Sequence, residues 1–129
     1  MNTAVYTDLL RDSLLRSKEH PCFHIKRNGA YISYTYADFY RSLNSLVDAL
    51  RQNGFREGNS GVVIGANGPE WVIAYHAYFL AGGRTVPIDP SLPAEEIREI
   101  IRITHASFIA CSEVFTSLFF NLKKEFSFV

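Results

Sequence analysis

Two short apolar runs, Gly61-Val62-Val63-Ile64-Gly65 and Thr85-Val86-Pro87-Ile88, flank a single helix-length stretch. A strand that is apolar at every position, with no polar alternation, belongs to a sheet covered on both faces, which usually means a parallel sheet. Parallel neighbours need a crossover connection, and a helix supplies it. Asn67-Gly68-Pro69 opens that helix, with Pro69 in the first turn, where a missing N–H does no harm. Gly82-Gly83 closes it. The segment therefore predicts a βαβ unit, a crossover that is right-handed almost without exception.

The alternation continues. Ser91 to Thr104 reads as a further helix, Ser107 to Cys111 as a strand, and residues 113 to 122 as a last helix. Upstream, Val5, Tyr6, Leu9, Leu10 and Leu14 fall at helical spacing within residues 3 to 17, a helix that must stop before Pro21. Asn28-Gly29 separates two β-rich runs and predicts a hairpin over 21–34. Thr35 is a candidate helix cap, with Asp38 three residues on. Tyr36, Phe39, Leu43, Leu46, Val47 and Leu50 then keep one apolar face to about residue 53, before Gly54. The fold class is α/β: an open parallel sheet of about three βα units flanked by helices, plus an N-terminal helix and a β-hairpin. No linker or internal repeat interrupts residues 1–129, so a single domain is expected.

Thirteen Lys and Arg balance thirteen Asp and Glu, which leaves no basic footprint for a nucleic acid. The longest nearly apolar stretch, Trp71 to Ala81, is too short for a transmembrane segment. The N-terminus carries no signal-peptide pattern, and Cys22 and Cys111 are too few for a disulfide scaffold, so a cytoplasmic setting is expected. Phe126, Ser127, Phe128 and Val129 read as the entry into another strand, the mark of a chain cut short.

Catalytic apparatus is nearly absent from the residues. There is no phosphate-binding Gly-rich loop, no nucleophile elbow, and no lysine between Lys26 and Lys123. His20, Cys22 and His24 alternate along a predicted strand and would share one face. With no fourth ligand nearby, the solvent face of an edge strand accounts for them better than a metal. Glu95, Glu96 and Glu99 with Arg98 and Arg102 read as a solvated helix face. In open α/β sheets ligands gather beyond the carboxyl ends of the strands. The polar residues placed there are Asn67 and Asp89, the candidate crevice residues, although capping by Asn67 and turn formation by Asp89 explain them without a ligand.

The order of these motifs resembles the start of the adenylate-forming (AMP-binding) superfamily, which includes acyl-CoA synthetases, peptide-synthetase adenylation domains and luciferases. Tyr34-Thr35-Tyr36 opens a long helix, and Gly54, Glu57-Gly58 and the buried strand follow. Asn67-Gly68-Pro69-Glu70-Trp71 resembles the Asn-x-Pro-Glu-Trp segment of acyl-CoA ligases. Ala81 to Pro90 resembles a core motif that ends in Val-Pro-(Leu/Ile)-Asp-Pro. The likeness covers roughly residues 4 to 115.

The resemblance implies an ATP-dependent ligase that activates a carboxylic acid as an acyl-adenylate and transfers it to a thiol, with ATP, Mg and coenzyme A as cofactors of the full-length enzyme. The family's phosphate loop, its nucleotide contacts and its C-terminal lysine all lie downstream of the matching region, so no cofactor and no catalytic residue is expected of this chain. The implied partner is the missing remainder of the ligase. Glu70-Trp71 points to a fatty-acid class, while Asp89 to Glu95 resembles amino-acid-activating adenylation domains. An alternative of another class is a free-standing interaction module. Residues 69–81 are apolar almost all round, which suggests a homo-oligomer built over that helix.

Overall fold

Asn28 and Gly29 both take positive φ, 51° and 81°, and turn the chain back on itself. The computed structural model describes residues 3–129. The turn joins β1 (Pro21–Arg27) to β2 (Ala30–Thr35) in an antiparallel pair that stands apart from the main sheet. Before it runs α1 (Thr3–Arg16) and after it α2 (Tyr36–Gln52). Then come β3 (Ser60–Ile64), α3 (Pro69–Leu80), β4 (Arg84–Ile88), α4 (Ala94–Thr104), β5 (Phe108–Cys111), a 3-10 turn at Glu113–Phe115, and α5 (Thr116–Leu122). The three later strands form one parallel sheet in the order β4-β3-β5, so Val62 pairs with Val86 on one side and Ile109 on the other. The expected α/β architecture is present.

β3 is central, which explains its unbroken apolar run: all five of its residues are buried. Its side chains divide between two cores. Val62 and Ile64 pack with Ile88, Ile97, Ile101, Phe119 and Leu122 on the α4–α5 face. On the other face Leu14, Phe39, Leu43, Val47, Phe55 and Tyr78 join α1, α2 and α3. The apolar stripe foreseen for α2 is the source of its buried residues Phe39, Leu43, Val47 and Leu50. From Trp71 to Leu80, α3 is half-buried or buried throughout: Ala74, Ala77 and Tyr78 are buried, and Trp71, Tyr75 and Phe79 are half-buried in a row of ring contacts.

Thr35 caps α2 reciprocally. Its hydroxyl accepts the Asp38 N–H (3.1 Å), and the Asp38 carboxylate accepts the Thr35 N–H (3.0 Å). Those bonds, the Thr35 backbone first, hold the Asp38 carboxyl below the usual carboxylate range. A depressed folded-state value stabilises the fold above the unfolded value of about 3.9 and loses that contribution as pH falls through the folded value. Thr35→Ala is expected to cost about 1 kcal/mol in urea unfolding at neutral pH. The variant's deficit is expected to shrink in acid, where the native cap is itself weakened.

The structure corrects three expectations. α4 begins at Ala94, not Ser91. The Asp89 carboxylate takes the Ser91 N–H (2.8 Å) and O–H (2.7 Å), and Pro93 is extended at φ −62°, ψ 152°, so the intervening residues form a turn. The last helix starts as a 3-10 turn. The third correction concerns His20, Cys22 and His24, which do not share one solvent face. The β1–β2 register shifts between Pro21 and Phe23, and this bulge turns Cys22 against the α1–α2 core while His24 stays exposed and bonds Ser33. Among the described residues no group of three metal-ligating side chains comes together, and no helix is long and apolar enough to cross a membrane.

Candidate functional site

The two cores decide where a ligand crevice can open. α3 leaves β3 toward α1 and α2, whereas α4 and α5 leave β4 and β5 toward the opposite face. The chain therefore departs from the central strand on one side and from both its neighbours on the other. That reversal parts the loops at the carboxyl end of the sheet, the place where open α/β sheets bind ligands. Two adjoining depressions lie there, of about 520 Å³ between the β3 and β4 ends and about 390 Å³ between the β3 and β5 ends. Gly65, Ala66 and Trp71 line both.

Asn67 and Asp89, far apart in sequence, line the same depression. Their chemistry differs. Asp89 is committed to the Ser91 turn, and the Ser91 N–H, then its hydroxyl, holds the carboxyl below its ordinary range. Asn67 is exposed and does not cap α3; Gly68 is the cap, with no side-chain hydrogen bond. On the β5 side Cys111 and Ser112 reach the second depression, and the Ser112 N–H donates to the Ile64 carbonyl (3.0 Å). Burial pushes the Cys111 thiol up.

Sequence reasoning missed the pair that dominates the electrostatics. Glu70, in the first turn of α3, accepts its own backbone N–H and the guanidinium of Arg27 at the end of β1, and in that order the two hold its carboxyl below the usual range. Arg27 and Glu70 are 43 residues apart, so no periodicity announces them. Both are substantially exposed, so the ion pair itself adds little stability. Its consequence is for ligands: the positive end of α3, a ready anion site when free, already carries a carboxylate. The first turn of α4 likewise carries Glu95 and Glu96.

An open α/β sheet with a crevice at its strand reversal is the architecture of many nucleotide and acyl-group enzymes, and comparison with known proteins narrows the class. The chain belongs to the AMP-binding enzyme family, whose model matches residues 10–125. It is 31% identical over 85 residues to long chain acyl-CoA synthetase 4 of Arabidopsis thaliana, covering 66% of this chain and 13% of that protein. To bacitracin synthase 2 of Bacillus licheniformis it is 27% identical over 99 residues, covering 77% of this chain and 4% of that protein. In fold it is similar to O-succinylbenzoate coenzyme A synthetase of Bacillus subtilis, solved in complex with ATP and magnesium ion. There the TM-score is 0.81 at 18% identity, with 93% of this chain and 31% of that chain covered. The chain thus spans less than a third of the length of each of these proteins. The likeness to the AMP-binding family, expected from Ala81 to Pro90 and Asn67 to Trp71, holds.

Proposed function

We propose that this chain is the N-terminal α/β part of the large domain of an ATP-dependent acyl-CoA ligase and does not catalyse by itself. The observation that carries this reading is the family match over residues 10–125, joined to a crevice at the strand reversal whose lining includes Glu70 but no Gly-rich phosphate loop. The whole enzyme would use ATP and magnesium to convert a carboxylic acid into an acyl-adenylate, then form the thioester with coenzyme A. Those groups would be held by the remainder of the ligase, while this part would supply one wall of the crevice. Asn67, unpledged to any cap, is the residue proposed to meet a bound substrate, and Asp89 is proposed to shape the adjoining loop. An amino-acid-activating role draws on the likeness to bacitracin synthase 2. The free thiols of Cys22 and Cys111 suit the reducing cytoplasm. A second copy packed over the half-buried Trp71–Tyr75–Phe79 row is a second reading, which sedimentation as a monomer at high concentration would remove.

Calorimetric titration of the purified chain with millimolar MgATP tests the proposal. No saturable heat is expected, because the chain carries no Gly-rich phosphate-cradling loop. Saturable binding would mean that a nucleotide site is built into these residues and that the chain is not merely one wall of a larger site.

A further inference from the structure

Asparagine is followed by glycine three times, at Asn28-Gly29, Asn53-Gly54 and Asn67-Gly68. Such a pair can modify itself. The main-chain nitrogen of the glycine attacks the side-chain carbonyl carbon of the asparagine. The bond to the amide nitrogen breaks, and that nitrogen leaves as ammonia with the proton of the glycine N–H. Water then opens the cyclic imide at either carbonyl and gives aspartate or isoaspartate. The step needs a free glycine N–H, a free carboxamide, and room for the two to meet. Glycine admits the approach because it has no Cβ.

The fold separates the three pairs. The Asn53 carboxamide donates to the Ala49 carbonyl (2.8 Å), and the Gly54 N–H donates to the Arg51 carbonyl (3.1 Å), so both reacting groups are engaged. Gly68 is held by the first turn of α3: its carbonyl accepts the Val72 N–H (3.2 Å), and the buried Pro69 follows it. A Cβ on Gly68 would stand 3.2 Å from Glu70 Oε2, so a carboxylate there opposes ionisation of the attacking nitrogen. Asn28 and Gly29 carry none of these restraints. Both are exposed at the tip of the hairpin, and a Cβ on Gly29 would meet nothing within 4 Å. Among the described residues, none bonds the Asn28 carboxamide or the Gly29 N–H. Lys26 and Arg27 precede the pair, and positive charge eases loss of the N–H proton.

The product reaches beyond the turn. Arg27 adjoins Asn28, forms the last register pair of the hairpin with Ala30, and holds Glu70 at the start of α3. Either product places a new carboxylate beside Arg27, in competition with Glu70. Isoaspartate also routes the main chain through one extra carbon, which a tight two-residue turn cannot absorb without losing its register. We propose that Asn28 is a self-modifying site that converts to aspartate and isoaspartate without an enzyme, and that the conversion releases Arg27 from Glu70 and so unties the hairpin from the rim of the crevice. This inference is independent of the ligase reading, since it rests on the hairpin and its anchor alone.

The test ages the whole chain at mildly alkaline pH and body temperature. Peptide mass mapping reads the amide-to-acid change at each asparagine separately. Asn28 is expected to convert about tenfold or more faster than Asn53, the rate equivalent of the two hydrogen bonds that Asn53 and Gly54 must first break. It is also expected to convert before Asn67. The released anchor is read by NMR titration of the Glu70 carboxyl, which Arg27 helps to hold down. Arg27→Gln sets the upward shift for complete loss of the pair. The aged chain, separated by charge from the unmodified one, is expected to show at least half of that shift, and Asn28→Asp, which adds the charge without the extra carbon, a shift in the same direction. Conversion of Asn53 or Asn67 ahead of Asn28 would overturn the proposal. So would a Glu70 titration in the aged chain that matches the fresh one.

Discussion

Phe55→Ala is expected to be the most damaging single truncation in this chain, costing about 3–5 kcal/mol. Phe55 lies in the loop between α2 and β3 and is only 1% exposed. Its ring meets Tyr78 at 5.4 Å and stands edge-on to Phe108 at 5.0 Å, so one side chain joins α3 and β5 to the end of α2. Truncation would remove both aromatic contacts and leave a void that the Phe55 backbone, tied to the Leu50 carbonyl (2.9 Å), cannot close by collapse. For a domain whose whole stability is about 5–15 kcal/mol, that loss leaves a substantial unfolded population in mild denaturant. Urea unfolding followed by tyrosine fluorescence and far-ultraviolet dichroism checks it. A loss under 1 kcal/mol would contradict the central place given to this residue.

The second large effect comes from adding one carbon. Gly61 lies on β3 directly against the ring of Tyr78, and a methyl group there would stand 2.2–2.4 Å from three ring carbons. The ring cannot swing away. It is 2% exposed, and its hydroxyl donates to the Val62 carbonyl (3.3 Å). Gly61→Ala must therefore push α3 off the sheet, at a cost of about 1–3 kcal/mol or more. A double-mutant cycle separates this clash from any loss of strand geometry. Once Tyr78→Ala has removed the ring, the further cost of Gly61→Ala should fall to a few tenths of a kcal/mol, the range of additivity error for independent sites. Equal costs in both backgrounds would show that the glycine serves the backbone and not the close approach of α3.

These two residues also mark where a sequence stops being legible. β3 could be read because burial on both faces removes all polar alternation, and the hairpin because Asn28 and Gly29 tolerate positive φ. The Thr35 cap was legible because it opens the apolar-periodic stretch, while the reciprocal bond from Asp38 emerged only in the structure. Phe55 was not, since a buried aromatic in a loop belongs to no periodic pattern. The order β4-β3-β5 is likewise a packing result, and only it places Asn67 and Asp89 on one depression. Ser91 looked helical by composition, but Asp89 captured its N–H and hydroxyl first. The Cys22 bulge and the Arg27–Glu70 pair are tertiary facts, set by how the hairpin leans on α2 and α3. Glu70 matters most among these. Within a family-like motif it reads as a signature, whereas in the fold it is paired with Arg27, 43 residues away.

The most direct test of the proposal that this chain is one wall of a ligase, and not a ligase in itself, is ATP–pyrophosphate exchange. The purified 129-residue chain is given magnesium, ATP, labelled pyrophosphate, and in turn fatty, aromatic and amino acids. Acyl-adenylate formation is reversible, so any chain that performs it returns label to ATP. The account predicts label at the blank level with every acid, because the chain holds no Gly-rich loop to cradle phosphates and no lysine between Lys26 and Lys123. Acid-dependent exchange above the blank would contradict it and place a working adenylation site within these residues.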